Sequence, residues 1–149
     1  MCNLDDLISL NPNVTEIVFN NGVGNDPSFT VLDLSRFESV RSVVIGDESF
    51  MYVSEFNITG FSELQSVVIG EKSFTKSNYD KDPNRHFYLN GCPKLKSLRM
   101  GRYSFSDYTV IEIENVDVLE VIEMGELNEE SRNFPYASLE LKSIVIHSE

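Results

Sequence analysis

The chain is poor in the residues that carry most chemistry and most cross-links. It has two cysteines and two histidines in 149 residues, against 24 acidic and 12 basic side chains. Two cysteines do not make a disulfide framework. No apolar run approaches the ~20 residues that a membrane helix needs, so membrane insertion is not expected. The first residues, Met1-Cys-Asn-Leu-Asp-Asp, have neither a basic head nor an apolar signal core. The chain is therefore cytoplasmic by default, or a surface protein whose leader lies outside it. Cations are scarce, and the net charge of -12 repels nucleic-acid phosphates and anionic headgroups. Nucleic acid is accordingly excluded as a partner. Glycine and proline are few as well, and the apolar share is ordinary, so the charge does not signal disorder.

What the chain has instead is repetition. Leu64-Gln-Ser-Val-Val-Ile-Gly-Glu-Lys-Ser-Phe74 is nearly copied in Val40-Arg-Ser-Val-Val-Ile-Gly-Asp-Glu-Ser-Phe50, and Leu95-Lys-Ser-Leu-Arg-Met-Gly-Arg-Tyr-Ser-Phe105 keeps the frame. The pattern apolar-x-x-apolar-x-apolar occurs at Val14/Ile17/Phe19, Val40/Val43/Ile45, Leu64/Val67/Ile69, Leu95/Leu98/Met100, Leu119/Ile122/Met124 and Leu141/Ile144/Ile146. The steps between copies are 26, 24, 31, 24 and 22 residues.

Each copy ends as a strand. Alternation of period two sends Val67 and Ile69 to one face and Ser66 and Val68 to the other, and β-branched residues dominate, as a pleated surface favours. The glycine that follows (Gly46, Gly70, Gly101, Gly125) is expected to supply a positive φ to a tight turn. Phe50, Phe74 and Phe105 share one offset and are expected to stack in a column. A second strand precedes most copies, at Leu32-x-Leu34, Phe56-x-Ile58, Phe87-x-Leu89 and Ile111-x-Ile113, with Gly60, Gly91 and Asn115 two residues beyond. Too few residues separate Phe50 from Phe56 for more than a single helical turn.

A repeat of this size cannot bury its own apolar face, so copies must stack. The expected fold is mainly β: one solenoid domain over residues 1–149, with about five to six short coils, two strand ladders and little helix. A closed β-sandwich also uses many short strands, but does not need one motif at one offset six times. Two departures interrupt the period. Lys76–His86 is polar, contains Asp82-Pro83-Asn84, and is expected to be an inserted surface loop. Glu126–Tyr136 replaces the usual turn with an acidic, irregular stretch. Ser143-Ile-Val-Ile-His147 is a strand whose uncovered edge invites pairing. From it we expect a fragment of a longer array, or edge-to-edge association with another copy.

These motifs resemble leucine-rich repeat proteins, chiefly the BspA-like class, over roughly residues 10 to 146. The turns Ile45-Gly-Asp-Glu-Ser-Phe50 and Ile69-Gly-Glu-Lys-Ser-Phe74 carry the resemblance, with serine where that class usually has alanine. Asn90-Gly-Cys-Pro-Lys-Leu95 resembles its lead into the strand, and Leu10-Asn-Pro-Asn-Val14 is a weaker copy. The resemblance implies a curved solenoid used for protein or cell-surface recognition, and it brings no catalytic residues.

The residues themselves point to no catalytic, metal or cofactor site. His86 and His147 fall at loop and chain-end positions without ligand spacing and are expected to be solvated. Cys92 reads as a small buried hydrophobe. Cys2 lies about three strand spacings away, ~14 Å, whereas a disulfide needs Cα atoms within ~7 Å; free thiols are expected. The acidic pairs Asp5/Asp6, Asp80/Asp82 and Glu129/Glu130 lack the spacing of a Ca²⁺ loop. A polysaccharide-cleaving β-helix would stack aspartates on one face, and no such column occurs. Asn13-Val-Thr15 and Asn57-Ile-Thr59 match the glycan acceptor pattern, which matters only in a secreted chain.

The outward columns are where a protein partner is expected. On the first ladder they are Glu16, Ser42, Ser66, Ser97, Val121, Ser143, and Val18, Val44, Val68, Arg99, Glu123, Val145. Ser42, Val44, Ser66, Val68 and Ser97 would make a flat, weakly polar patch bordered by Arg99 and Glu123, which suits protein recognition. The second ladder, with Asp33, Asn57, Tyr88, Glu112 and Ser35, Thr59, Asn90, Glu114, is expected to face solvent. The alternative function is a structural spacer or surface-coat segment.

Overall fold

A computed structural model describes residues 9–76, 82–106, 108–124 and 138–142. Ten strands run through them: β1 Glu16–Phe19, β2 Val31–Asp33, β3 Ser42–Ile45, β4 Glu55–Thr59, β5 Ser66–Ile69, β6 Asp82–Asn90, β7 Ser97–Met100, β8 Tyr108–Glu114, β9 Val121–Met124 and β10 Ser138–Lys142. Consecutive strands alternate between two sheets. The first sheet has the order β1-β3-β5-β7-β9 and the second β10-β8-β6-β4-β2. Every pairing is parallel. The protein is thus mainly β, with two parallel sheets.

Parallel strands spaced by one repeat place equivalent side chains side by side. In the first sheet Ile17, Val43, Val67 and Leu98 form one inward row, and Phe19, Ile45, Ile69 and Met100 the next. All eight are buried to 2% exposure or less. The second sheet turns Leu32, Phe56, Phe87 and Ile111 inward beside Ile58, Leu89 and Ile113. Both rows belong to one core. The lead-in residues Val40, Leu64 and Leu95 are fully enclosed, whereas Val14 and Leu119 at the two ends are only partly covered.

The phenylalanine column is present. Phe50 and Phe74 stack at 5.4 Å, Phe74 and Phe105 at 4.7 Å. Phe56 and Phe87 of the second sheet join the stack at 4.8 Å from Phe74 and 5.0 Å from Phe105. Aromatic packing of this kind adds about 0.5–1.5 kcal/mol per pair beyond area burial.

Four expectations need correction. First, Gly46, Gly70 and Gly101 do not adopt a positive φ; the left-handed residues are Glu48, Lys72 and Tyr103, then Phe50, Phe74 and Phe105, with φ of 54 to 63°. These glycines answer to crowding. A Cβ on Gly70 would stand 2.4 Å from Asp47 Oδ1 and 2.6 Å from Asp47 N, and one on Gly101 2.5 Å from Glu71 N. The turn of one repeat lies directly on the turn before it.

Second, Lys76–His86 is not simply a surface loop. Strand β6 begins at Asp82, and the register shifts between Asp82, which faces Tyr108, and His86, which faces Val110. Four residues of β6 span what two span on β8, so the ladder has a bulge or irregularity between these pairings. The alternation that turns Phe87 and Leu89 inward continues back to Arg85, which is 1% exposed. Its guanidinium donates to the carbonyls of Met51 at 2.6 Å and Val53 at 2.9 Å and lies 5.1 Å from the Tyr108 ring. Tyr108 also donates its hydroxyl to Val53 O. A long amphipathic side chain here satisfies turn carbonyls that no strand reaches.

Third, His86 is not a solvated loop residue. It sits on β6, stacks on Tyr88 with centroids 5.8 Å apart, and encloses an Nδ1 that has no hydrogen-bond partner among the described residues.

Fourth, the expected sixth copy is misplaced. Ser138-Leu-Glu-Leu-Lys142 is a strand of the second sheet, with Leu139 facing Ile111 and Leu141 facing Ile113. Leu141 is therefore a strand residue and not a lead-in. The alternation of Ser138–Lys142 is itself a strand signal, and Glu126–Tyr136 adds enough residues to break the fixed step. Cys2, Gly125, Glu126–Tyr136 and Ser143–His147 lie outside the described residues.

Candidate recognition surfaces

The first sheet brings the expected face together. Ser42, Ser66, Ser97 and Val121 occupy one outward row, and Val44, Val68, Arg99 and Glu123 the next. Strands β3, β5 and β7 fix these rows because each buries two inward residues. Val68 is 37% exposed, and Ser42, Val44, Ser66 and Ser97 are half-buried. Arg99 and Glu123 do more than border the patch: they pair with each other, Arg99 Nη1 to Glu123 Oε2 at 3.4 Å, with both side chains about half exposed. Such a pair contributes about 0–1 kcal/mol. A shallow depression continues from Val68 and Arg99 to Glu71 and Arg102 on the adjoining turns. The sequence reading missed those two, because strand columns do not show which turn residues lie beside them.

The second sheet is less uniform than its polar columns imply. Asp33, Asn57, Tyr88 and Glu112 share one row, and Thr59, Asn90 and Glu114 the next. A half-open groove of about 310 Å³ runs between Asn57, Thr59, Tyr88, Asn90, Glu112 and Glu114. Tyr88 is the aromatic among them, and burial holds its phenol above the ordinary pKa, with the carboxylates of Glu112 and Glu55 acting in the same direction. Asn90 Oδ1 accepts from the Asn115 amide at 3.0 Å, and Asn57 Oδ1 accepts from the Thr59 hydroxyl. The sequence signal for this groove was a lone aromatic in a polar column.

Cys92 is fully buried, and burial pushes its thiol upward, as expected of a small hydrophobe. Among the described residues no group of three or more His, Cys, Asp or Glu side chains is arranged to hold a metal ion. No helix there is long and apolar enough to cross a membrane. No family model matches the chain, and neither a curated protein nor a solved structure matches it.

Proposed function

We propose that the chain is a non-enzymatic protein-recognition module, built as a leucine-rich-repeat-like solenoid of the BspA-like kind, that binds a protein partner through the outer face of its first sheet. The observation that carries this reading is the register. Ser42–Ser66–Ser97 and Val44–Val68–Arg99 lie on adjacent parallel strands, so small and apolar side chains merge into one flat surface. Flat surfaces with little charge at the centre and charge at the edge suit protein contacts. The alternation of parallel strands between two sheets with a shared core supports the solenoid, and the repeated turns support the likeness to leucine-rich repeats. The net charge of -12 argues against a nucleic-acid ligand.

The test compares the wild-type chain with a Val44→Asp/Val68→Asp variant in a pull-down from the native source, after circular dichroism has shown both to be folded. Val44 and Val68 point outward, so the substitutions are expected to spare stability. A partner held by the wild type and lost by the variant is the expected result. A partner held equally by both removes the first sheet from the reading. No partner for either favours a spacer or surface-coat segment.

A further inference from the structure

The groove on the second sheet is shaped around one aromatic ring. His86 covers one side of Tyr88 and does not line the groove. The groove therefore opens on the other side of the ring, over Asn90, the next outward residue of β6. On one flank β8 places Glu112 beside Tyr88 and Glu114 beside Asn90. On the other, β4 places Asn57 and Thr59. Neighbouring strands stand ~4.8 Å apart, so both flanks reach a group lying on the ring.

The charge of this face is unbalanced. The outward positions from β2 to β8 carry Asp33, Glu55, Glu112 and Glu114 and neither lysine nor arginine. Lys142 on β10 stands in register with Glu114, but Glu112 stands between Tyr88 and Glu140. The first sheet differs, because Arg99 already answers Glu123. A planar guanidinium satisfies all the features of the groove. It stacks on an aromatic face, its fork matches a carboxylate, and its remaining N–H groups suit amide oxygens.

We propose that the groove of Tyr88, Asn90 and Glu112 is a second docking site that takes an arginine side chain of a partner protein. It goes beyond the first-sheet reading, and either surface can fail without the other.

The test is an NMR titration of the chain with a capped eight-residue peptide that alternates glycine and arginine, beside the same peptide with neutral citrulline for arginine. Amide shifts are expected at Tyr88, Asn90 and Glu112 with the arginine peptide and none with the citrulline peptide. Glu112→Gln and Tyr88→Leu are each expected to weaken binding by about tenfold. Glu38→Gln, an exposed carboxylate away from the groove, is expected to leave it unchanged. Glu112→Gln is close to isosteric, so it decides the matter if Tyr88→Leu does not fold. Equal weakening by Glu38→Gln overturns the proposal in favour of diffuse attraction to an acidic chain. Equal binding of the citrulline peptide overturns it in favour of a neutral ligand. A concentration-dependent dimer that Glu112→Gln dissolves reassigns the groove to a second copy. Absence of shifts in the groove overturns it outright.

Discussion

Two turns close each repeat, and where they carry a glycine they do so for opposite reasons. At the exit of the first sheet, Gly46, Gly70 and Gly101 have ordinary φ, and a side chain there would strike the backbone of the preceding repeat. At the exit of the second sheet, Gly60 and Gly91 have φ of 74 and 65°, and a Cβ on Gly60 would meet nothing within 4 Å. One turn is crowded and the other is open. The crowded turn also takes its left-handed residues elsewhere, at the position two beyond the glycine and at the phenylalanine itself. The lesson is that close stacking, and not chain reversal, is the demand on the first turn. Its inward phenylalanine and its glycine act together to hold neighbouring repeats at strand spacing.

The largest effect should come from the column behind the crowded turn. Phe74 is fully buried and touches Phe50, Phe56, Phe105 and Tyr108. Phe74→Ala is expected to cost about 3–5 kcal/mol, read as a lowered midpoint in urea. A loss below about 1 kcal/mol would mean that the stack closes over the gap and that the column does not set the spacing.

Next is the glycine contrast itself. Gly70→Ala forces a methyl into the Gly46–Asp47 backbone, and about 3 kcal/mol is expected. Gly60→Ala meets no atom and pays only for its left-handed φ, about 1–2 kcal/mol. Chemical denaturation of the two variants side by side checks this. Equal losses would erase the distinction between crowded and open turns.

Much of this architecture was legible beforehand, and the failures are instructive. Inward and outward rows followed from alternation alone, because Val43/Ile45 and Val67/Ile69 leave no other register that buries them. The phenylalanine column followed from a constant offset. The role of Gly70 did not, because a sequence shows that a residue is small but not whether φ or a neighbour requires it. Arg85 was hidden for a related reason. Its charge marked a loop, while its inward side is set by a strand that begins at Asp82 and shifts register before His86, which no local pattern announces. Leu141 was misplaced because a fixed step was carried across an irregular stretch. Of the candidate surfaces, the first-sheet row was readable as a column of small residues. The groove at Tyr88 was not readable in this way, since it depends on which side of the ring His86 occupies.

A smaller effect probes how the crowded turn satisfies its polar groups. Ser73 is fully buried, donates its hydroxyl to Gly46 O at 2.7 Å and accepts from Ser49 N at 3.2 Å. Ser49 does the same one repeat earlier, donating to Asn20 O at 3.1 Å. The serine thus bridges two repeats where an alanine would leave a buried carbonyl without this donor. Ser73→Ala is expected to cost about 2 kcal/mol, and hydrogen exchange should rise at the Ser49 amide first. A neutral Ser73→Ala would mean that the turns are held by packing alone.

The smallest effect lies where the open turn lacks its glycine. The residue of β2's exit that corresponds to Gly60 is Arg36, which is absent from the left-handed set. There the carboxylate of Asp33 accepts from Ser35 N at 2.9 Å. That backbone bond, with the Ser35 side chain second, holds the Asp33 pKa below its ordinary 3.8. A depressed pKa in the folded state means that the contribution is complete above the unfolded value and is lost as pH falls through the folded one. Wild type and Asp33→Ala should therefore differ most in urea midpoint near neutral pH, and the gap should narrow as pH drops below 3.8. Other carboxylates titrate in both proteins and cancel in the difference. A gap that stays constant with pH would show that Asp33 acts through its neutral carbonyl oxygen, and that the open turn draws nothing from charge.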